Sequence, residues 1–142
     1  MAKFQRFEEM EVWQQARLLT KAIYGHTRSG AWARDFALRD QIRRAAVSLM
    51  SNIAEGYERD SNAEFVQFLS IAKGSCGELR SQLYIARDAE YIGADHFSAL
   101  VRDALAISRS LGRLIQYLRK SDFRSVKFVG SRRVQKDSRM ED

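Results

Sequence analysis

From Phe65 to Ala86 the apolar residues Phe65, Phe68, Leu69, Ala72, Cys76, Leu79, Leu83 and Ala86 return mostly at steps of three and four. That spacing gathers them on one side of a helix of about six turns, whereas a strand would scatter them over two faces. The same period fills the first 121 residues, the chain has no proline, and strand-like alternation is almost absent. The fold class that follows is all-α. Four helical stretches joined by short turns predict an up-down-up-down four-helix bundle over residues 1–121.

Phe4, Phe7 and Met10 open the chain as an apolar cluster. A helix is expected from Glu9 to His26, with Val12, Trp13, Ala16, Leu19, Ile23 and Tyr24 inward and Glu8, Glu9 and Glu11 at its positive end. Gly25, Ser29 and Gly30 mark a turn, and Trp32 and Phe36 are expected to pack that connection onto the bundle. The second helix reads from Asp35 to Tyr57, closed by Gly56 in the left-handed conformation. Ser61 and Glu64 form a capping box for the third helix, in which Gly74, Ser75 and Gly77 predict close approach of another backbone. After a turn at Tyr91–Gly93, Asp95 is the expected N-cap of a fourth helix reaching Lys120. Its inward set is Phe97, Leu100, Val101, Ala104, Leu105, Ser108, Leu111, Leu114, Ile115 and Leu118. From Asp122 the pattern fails, and residues 122–142 read as a flexible basic tail with six basic residues against four acidic.

On the second helix the apolar stripe Ile42, Ala46, Leu49 and Ile53 is flanked by Gln41, Arg44, Ser48, Asn52, Glu55 and Arg59. Polar groups so close to an apolar seam need partners. Either they bond one another or a neighbouring helix, as a structural polar seam, or they contact a ligand. Glu55 and Arg59 stand at i, i+4, the spacing of a local salt bridge.

A single domain of 142 residues that is 45% hydrophobic can bury a sizeable core. No apolar run is long enough for a membrane span and the first residues lack a signal-peptide core, so a cytoplasmic protein is expected. Cys76, the single cysteine, lies in an apolar helical pattern and reads as a small core residue. His26 and His96 are isolated in sequence, and no catalytic set, metal site or cofactor motif is present, so the expectation is a protein that is not an enzyme.

The formal net charge of +6 points to an anionic partner, with nucleic acid ahead of a membrane surface. Lys73, Arg80 and Arg87 recur every seven residues on the third helix. Arg102, Arg109, Arg113 and Lys120 recur at 7, 4 and 7 on the fourth. Between Ala104 and Ser121 there are four positive residues and no negative one. Such stripes are either a solvated face or a set of phosphate contacts. They offer no base-edge readout, so little sequence specificity is expected.

The stretch Gln41–Ser48 continued by Ser51-Asn52-Ile53-Ala54-Glu55-Gly56-Tyr57 and Arg59 resembles the signature of a bacterial four-helix-bundle family encoded in intervening sequences of large-subunit ribosomal RNA genes. Phe7–Ala16 and Phe65–Ser75 are similar to the same family's pattern, and the resemblance covers residues 4–120 in order. It implies a ring-shaped homopentamer. The chain is also similar to accessory variability determinants of diversity-generating retroelements, which implies nucleic acid and a reverse transcriptase as partners. Met50 stands where the family commonly has proline, so the mid-helix kink is expected to be absent or weaker. Five copies of a +6 chain would carry a formal +30, and weak phosphate contacts around a ring would add through avidity. The competing expectation is a protein–protein scaffold with no nucleic-acid role, docking a partner through the tail.

Overall fold

The computed structural model describes residues 4–121; the tail assigned to residues 122–142 lies outside them. A 3-10 turn at Phe7–Glu9 leads into α1 (Glu11–His26), a short α2 (Gly30–Arg34), α3 (Phe36–Tyr57), α4 (Asn62–Asp88) and α5 (Ala94–Lys120). The four long helices pack in the circular order α1, α3, α4, α5, and α1 meets α5 less extensively than the others meet their neighbours. Among the described residues the fold is all-α. α3 is continuous through Met50, which packs against the core.

The predicted stripes supply the core. Ile42, Ala46, Leu49 and Ile53 of α3 are fully buried against Phe65, Leu69, Ala72, Cys76, Leu79 and Leu83 of α4. On α5 the buried set includes Ile107, which the sequence pattern left out, while Phe97, Val101, Leu105 and Ser108 are only half-buried. Cys76 is a core residue whose Sγ–H donates to the Ala104 carbonyl at 3.2 Å, and burial pushes its thiol up to about 11.

Polar contacts tie the helix ends. Asp35 caps α3 by accepting from the Leu38 amide at 3.1 Å, and its other oxygen accepts from the Tyr91 hydroxyl at 2.8 Å. Tyr91 also stacks on the buried Trp32. α4 closes on Glu90, at φ 64°, with the Tyr91 amide donating to Ala86 and the Glu90 amide to Arg87, a pattern that satisfies otherwise orphaned carbonyls. Arg43 of α3 lies over Tyr24 and donates to both the hydroxyl and the carbonyl of buried Thr27. At the opposite end of the bundle, the Tyr57 hydroxyl donates to the Phe4 carbonyl.

Four expectations are corrected. Phe36 does not pack the connection: it is 63% exposed at the first position of α3, its ring beside the Arg39 guanidinium, while Leu38 turns inward instead. Asp95 does not cap α5; Gly93 holds the extended cap position and Asp95 lies in the first turn, where its charge suits the helix's positive end. Gly56 does not end α3 in a left-handed conformation. It is a buried helical residue, and a Cβ there would stand 2.9 Å from Phe68 Cβ and 3.0 Å from Phe65 Cδ1. Conversely, Gly74 and Gly77 have open space where a Cβ would go, so the close approach of helices lies at Gly56.

His26 and His96, isolated in sequence, meet edge to face with ring centres 4.7 Å apart, joining the end of α1 to the first turn of α5. Burial and, secondarily, the neighbouring His96 hold the His26 imidazole below its ordinary 6.5. The unfolded chain therefore takes up this proton more readily than the folded one. This part of the stability is complete above the unfolded value of about 6.5 and is lost progressively as pH falls from there through the lower folded-state value. Denaturant midpoints should fall between neutral pH and pH 5.5, and His26→Gln should flatten that dependence. The glycines give a second check by thermal melting. Gly56→Ala should destabilise by roughly 1–3 kcal/mol through overpacking. Gly77→Ala, in open space, should stabilise by up to about 1 kcal/mol through helix propensity.

Candidate functional site

The polar stripe of α3 separates into several parts. Asn52 Nδ2 donates to the Ser48 carbonyl at 2.8 Å and to Ser48 Oγ at 3.0 Å. The Ser48 hydroxyl also shares a hydrogen bond across the helix boundary with the Ser75 hydroxyl, 2.8 Å away on α4, in which either can donate. These three residues form a bonded seam between α3 and α4, and Ser75 fills a role that its sequence context attributed to small size. Gln41, Arg44 and Ser48 line an adjoining cleft of about 340 Å³ with Ala45, Glu78 and Gln82. Gln82 is 7% exposed, and its Oε1 has no hydrogen-bond partner among the described residues. Glu55 is exposed, and Arg59 packs over the Phe68 ring at 4.8 Å; the expected Glu55–Arg59 ion pair is not formed.

The seven candidate cations do not share one surface. Lys73, Arg80 and Arg87 follow the flank of α4 that carries Cys76, which bonds to α5, so they border the α4/α5 seam. The Lys73 side chain passes over Gly112 of α5, its Cε 3.7 Å from where a Cβ would stand. Arg102 and Arg109 instead border a shallow cleft on α5 with Phe97, Val101 and Leu105. Arg109 also belongs to a groove of about 640 Å³ between α1 and α5, where it is joined by Arg113. Lys120 is exposed in the last turn of α5, where cations complement the helix dipole. Arg102, Arg109 and Arg113 therefore form a connected rim, and Arg80 and Arg87 lie on a different flank.

The α1/α5 groove has an apolar floor of Met10, Val12 and Leu114, flanked by Phe4 and Tyr117. Its polar members are Glu11, Gln15, Arg109, Ser110 and Arg113. Arg113 donates to Ser110 Oγ at 3.1 Å, and Gln15 Nε2 reaches Glu11 Oε2 at 3.4 Å. Among the described residues the ion pairs within 4.0 Å are Arg6–Glu9 and Arg39–Asp40, so none of the seven cations is neutralised by a carboxylate. Sequence reasoning passed over Gln15 because a glutamine on a surface helix carries no signal until its neighbours are known. It also passed over the carboxylate-free stretch Val12–Arg34, which bears exposed Arg17, Lys21, Arg28 and Arg34; that absence was readable.

No described group of three or more His, Cys, Asp or Glu residues could hold a metal ion, and no described helix is long and apolar enough to cross a membrane. No curated protein matches the sequence. A solved Bacteroides thetaiotaomicron structure, titled as a protein of unknown function from the S23 ribosomal protein family, has the same fold. It aligns with a TM-score of 0.69 at 24% identity, over 74% of this chain and 95% of that one. The model of the 23S rRNA-intervening sequence proteins matches residues 8–113, which include the α3 signature, the whole of α1, α3 and α4, and α5 as far as Arg113. The chain belongs to the 23S rRNA-intervening sequence protein family.

Proposed function

We propose that this chain is a non-enzymatic, homo-oligomeric helical bundle that binds RNA or DNA through backbone phosphates, with little sequence specificity. The observation that carries the reading is the unpaired rim of Arg102, Arg109 and Arg113, extended by Lys120 along a helix half without a carboxylate. Arg102, Arg109 and Arg113 have no carboxylate within 4.0 Å among the described residues and stand exposed, which leaves them open to a polyanion. Lys73, near Gly112, can join them from α4, whereas Arg80 and Arg87 would serve a second strand or none. Charge reversal at Arg109 and Arg113 should weaken binding of labelled oligonucleotides in fluorescence anisotropy. The slope of log affinity against log salt should become shallower by about 0.9 per lost duplex-DNA contact. Affinity and slope equal to those of the unaltered protein would dispose of this face.

Assembly, as the family resemblance implies a pentameric ring, is the second part of the proposal. On the outer side of α4, Ile71, Glu78 and Ile85 recur every seven residues, with both isoleucines about half exposed. Bulky apolar side chains on this outer face, above open space at Gly74, suit contact with a second copy. The same patch is the specific ground for the scaffold reading, in which it would receive a different protein. Ile71→Glu with Ile85→Glu should lower the subunit number measured by light scattering while leaving the helical circular dichroism intact. An unchanged mass would place the interface elsewhere.

A further inference from the structure

The α1/α5 groove combines properties that a phosphate alone does not use. Its rim is cationic, through Arg109 and Arg113, and carries the Ser110 hydroxyl. Its floor is Met10, Val12 and Leu114, with the rings of Phe4 and Tyr117 in its lining. A phosphate seated on that floor would lose hydration without gaining hydrogen bonds. An apolar peptide would fill the floor and leave both guanidinium groups without an anion. The ligand that matches rim and floor together has an anionic group and a planar, largely apolar ring within one residue's reach, which is the chemistry of a nucleotide unit.

Gln15 adds a polar requirement. Its Nε2 is directed to Glu11, and its Oε1 is buried beside the groove without a hydrogen-bond partner among the described residues. A buried acceptor left unsatisfied is costly. A base N–H in the groove would supply the missing donor once the Gln15 side chain, which lines the groove, turns Oε1 toward it. The volume, about 640 Å³, lies in the range of small-molecule sites and exceeds what one phosphate fills.

We propose that the α1/α5 groove takes an unstacked base of a single-stranded nucleic acid while Arg109 and Arg113 hold the adjoining phosphates. This rests on the phosphate-binding reading above and narrows it: in a duplex the bases are stacked and paired, so only phosphates reach the rim, whereas a single strand can use rim and floor. Aromatic stacking of one base corresponds to roughly 5- to 150-fold in affinity.

The test uses the full chain and labelled single strands of RNA and DNA, each with an abasic counterpart of equal length, and a duplex. The base-bearing strand should bind roughly 5- to 150-fold more tightly than the abasic one. Ala106→Trp, at an exposed groove-lining position of α5, obstructs the groove without changing charge. It should reduce the base-bearing strand to the abasic level and leave duplex binding unchanged, with circular dichroism confirming the fold. Equal binding of base-bearing and abasic strands would overturn base entry while leaving the phosphate reading in place. So would a preference that survives Ala106→Trp. If the Trp variant alters the subunit number instead, the groove receives a second copy and the assignment is wrong. Absence of binding by any strand at low salt would overturn both this assignment and the function on which it rests.

Discussion

The close approach of α3 to α4 at Gly56 sets the frame for the rest of the bundle. With no side chain, Gly56 lets α3 settle onto Phe65 and Phe68; a Cβ would meet Phe68 Cβ at 2.9 Å and the Phe65 carbonyl oxygen at 3.3 Å. From there the antiparallel pair separates, first to hydroxyl-bonding distance at Ser48 and Ser75, then to the cleft between Gln41 and Gln82. α4, fixed in this way, presents Cys76 to the Ala104 carbonyl of α5, so the seat of the basic helix depends on the same contact.

This dependence explains which parts of the molecule were legible in the sequence. Periodicity identified the four long helices and most of the core, because each apolar stripe must lie on one face whatever its neighbour is. It marked out the polar stripe beside the apolar one on α3, of which only Ser48 and Asn52 join the bonded seam with Ser75. Gly56 was misread because a glycine near a helix end has two uses, and only the position of Phe68 on another helix distinguishes them. The His26–His96 contact was illegible for a related reason: seventy positions separate the residues, and nothing local announces that α1 ends where α5 begins. The basic stripes were visible as stripes, but their division between two flanks of α5 required the helix rotation that Cys76 and Gly112 reveal.

The family assignment constrains fold more than chemistry. The matching residues 8–113 contain most of the helical core and also Arg102, Arg109 and Arg113, which stand at exposed positions that the packing of the core does not dictate. Surface charge with no local partner contributes little to stability. Its clustering along α5 is therefore the property to explain, and the proposed polyanion would account for it through counterion release.

The groove beside that rim follows from topology. α1 is held to α3 by Arg43 on Thr27 at one end and by Tyr57 on Phe4 at the other, so its position does not require a tight fit against α5. Thr20 adds a further tie near the middle, its hydroxyl 3.3 Å from the Ala46 carbonyl of α3. The opposite side of α1 can then remain partly open without loss of order, and α5, anchored by α4, leaves the floor of Met10, Val12 and Leu114 beneath two unpaired arginines. A bundle whose helices were all packed equally would have closed this space with side chains. Here the unequal packing of α1 preserves an apolar recess beside the cationic rim of Arg109 and Arg113, so charge and recess can act on one ligand.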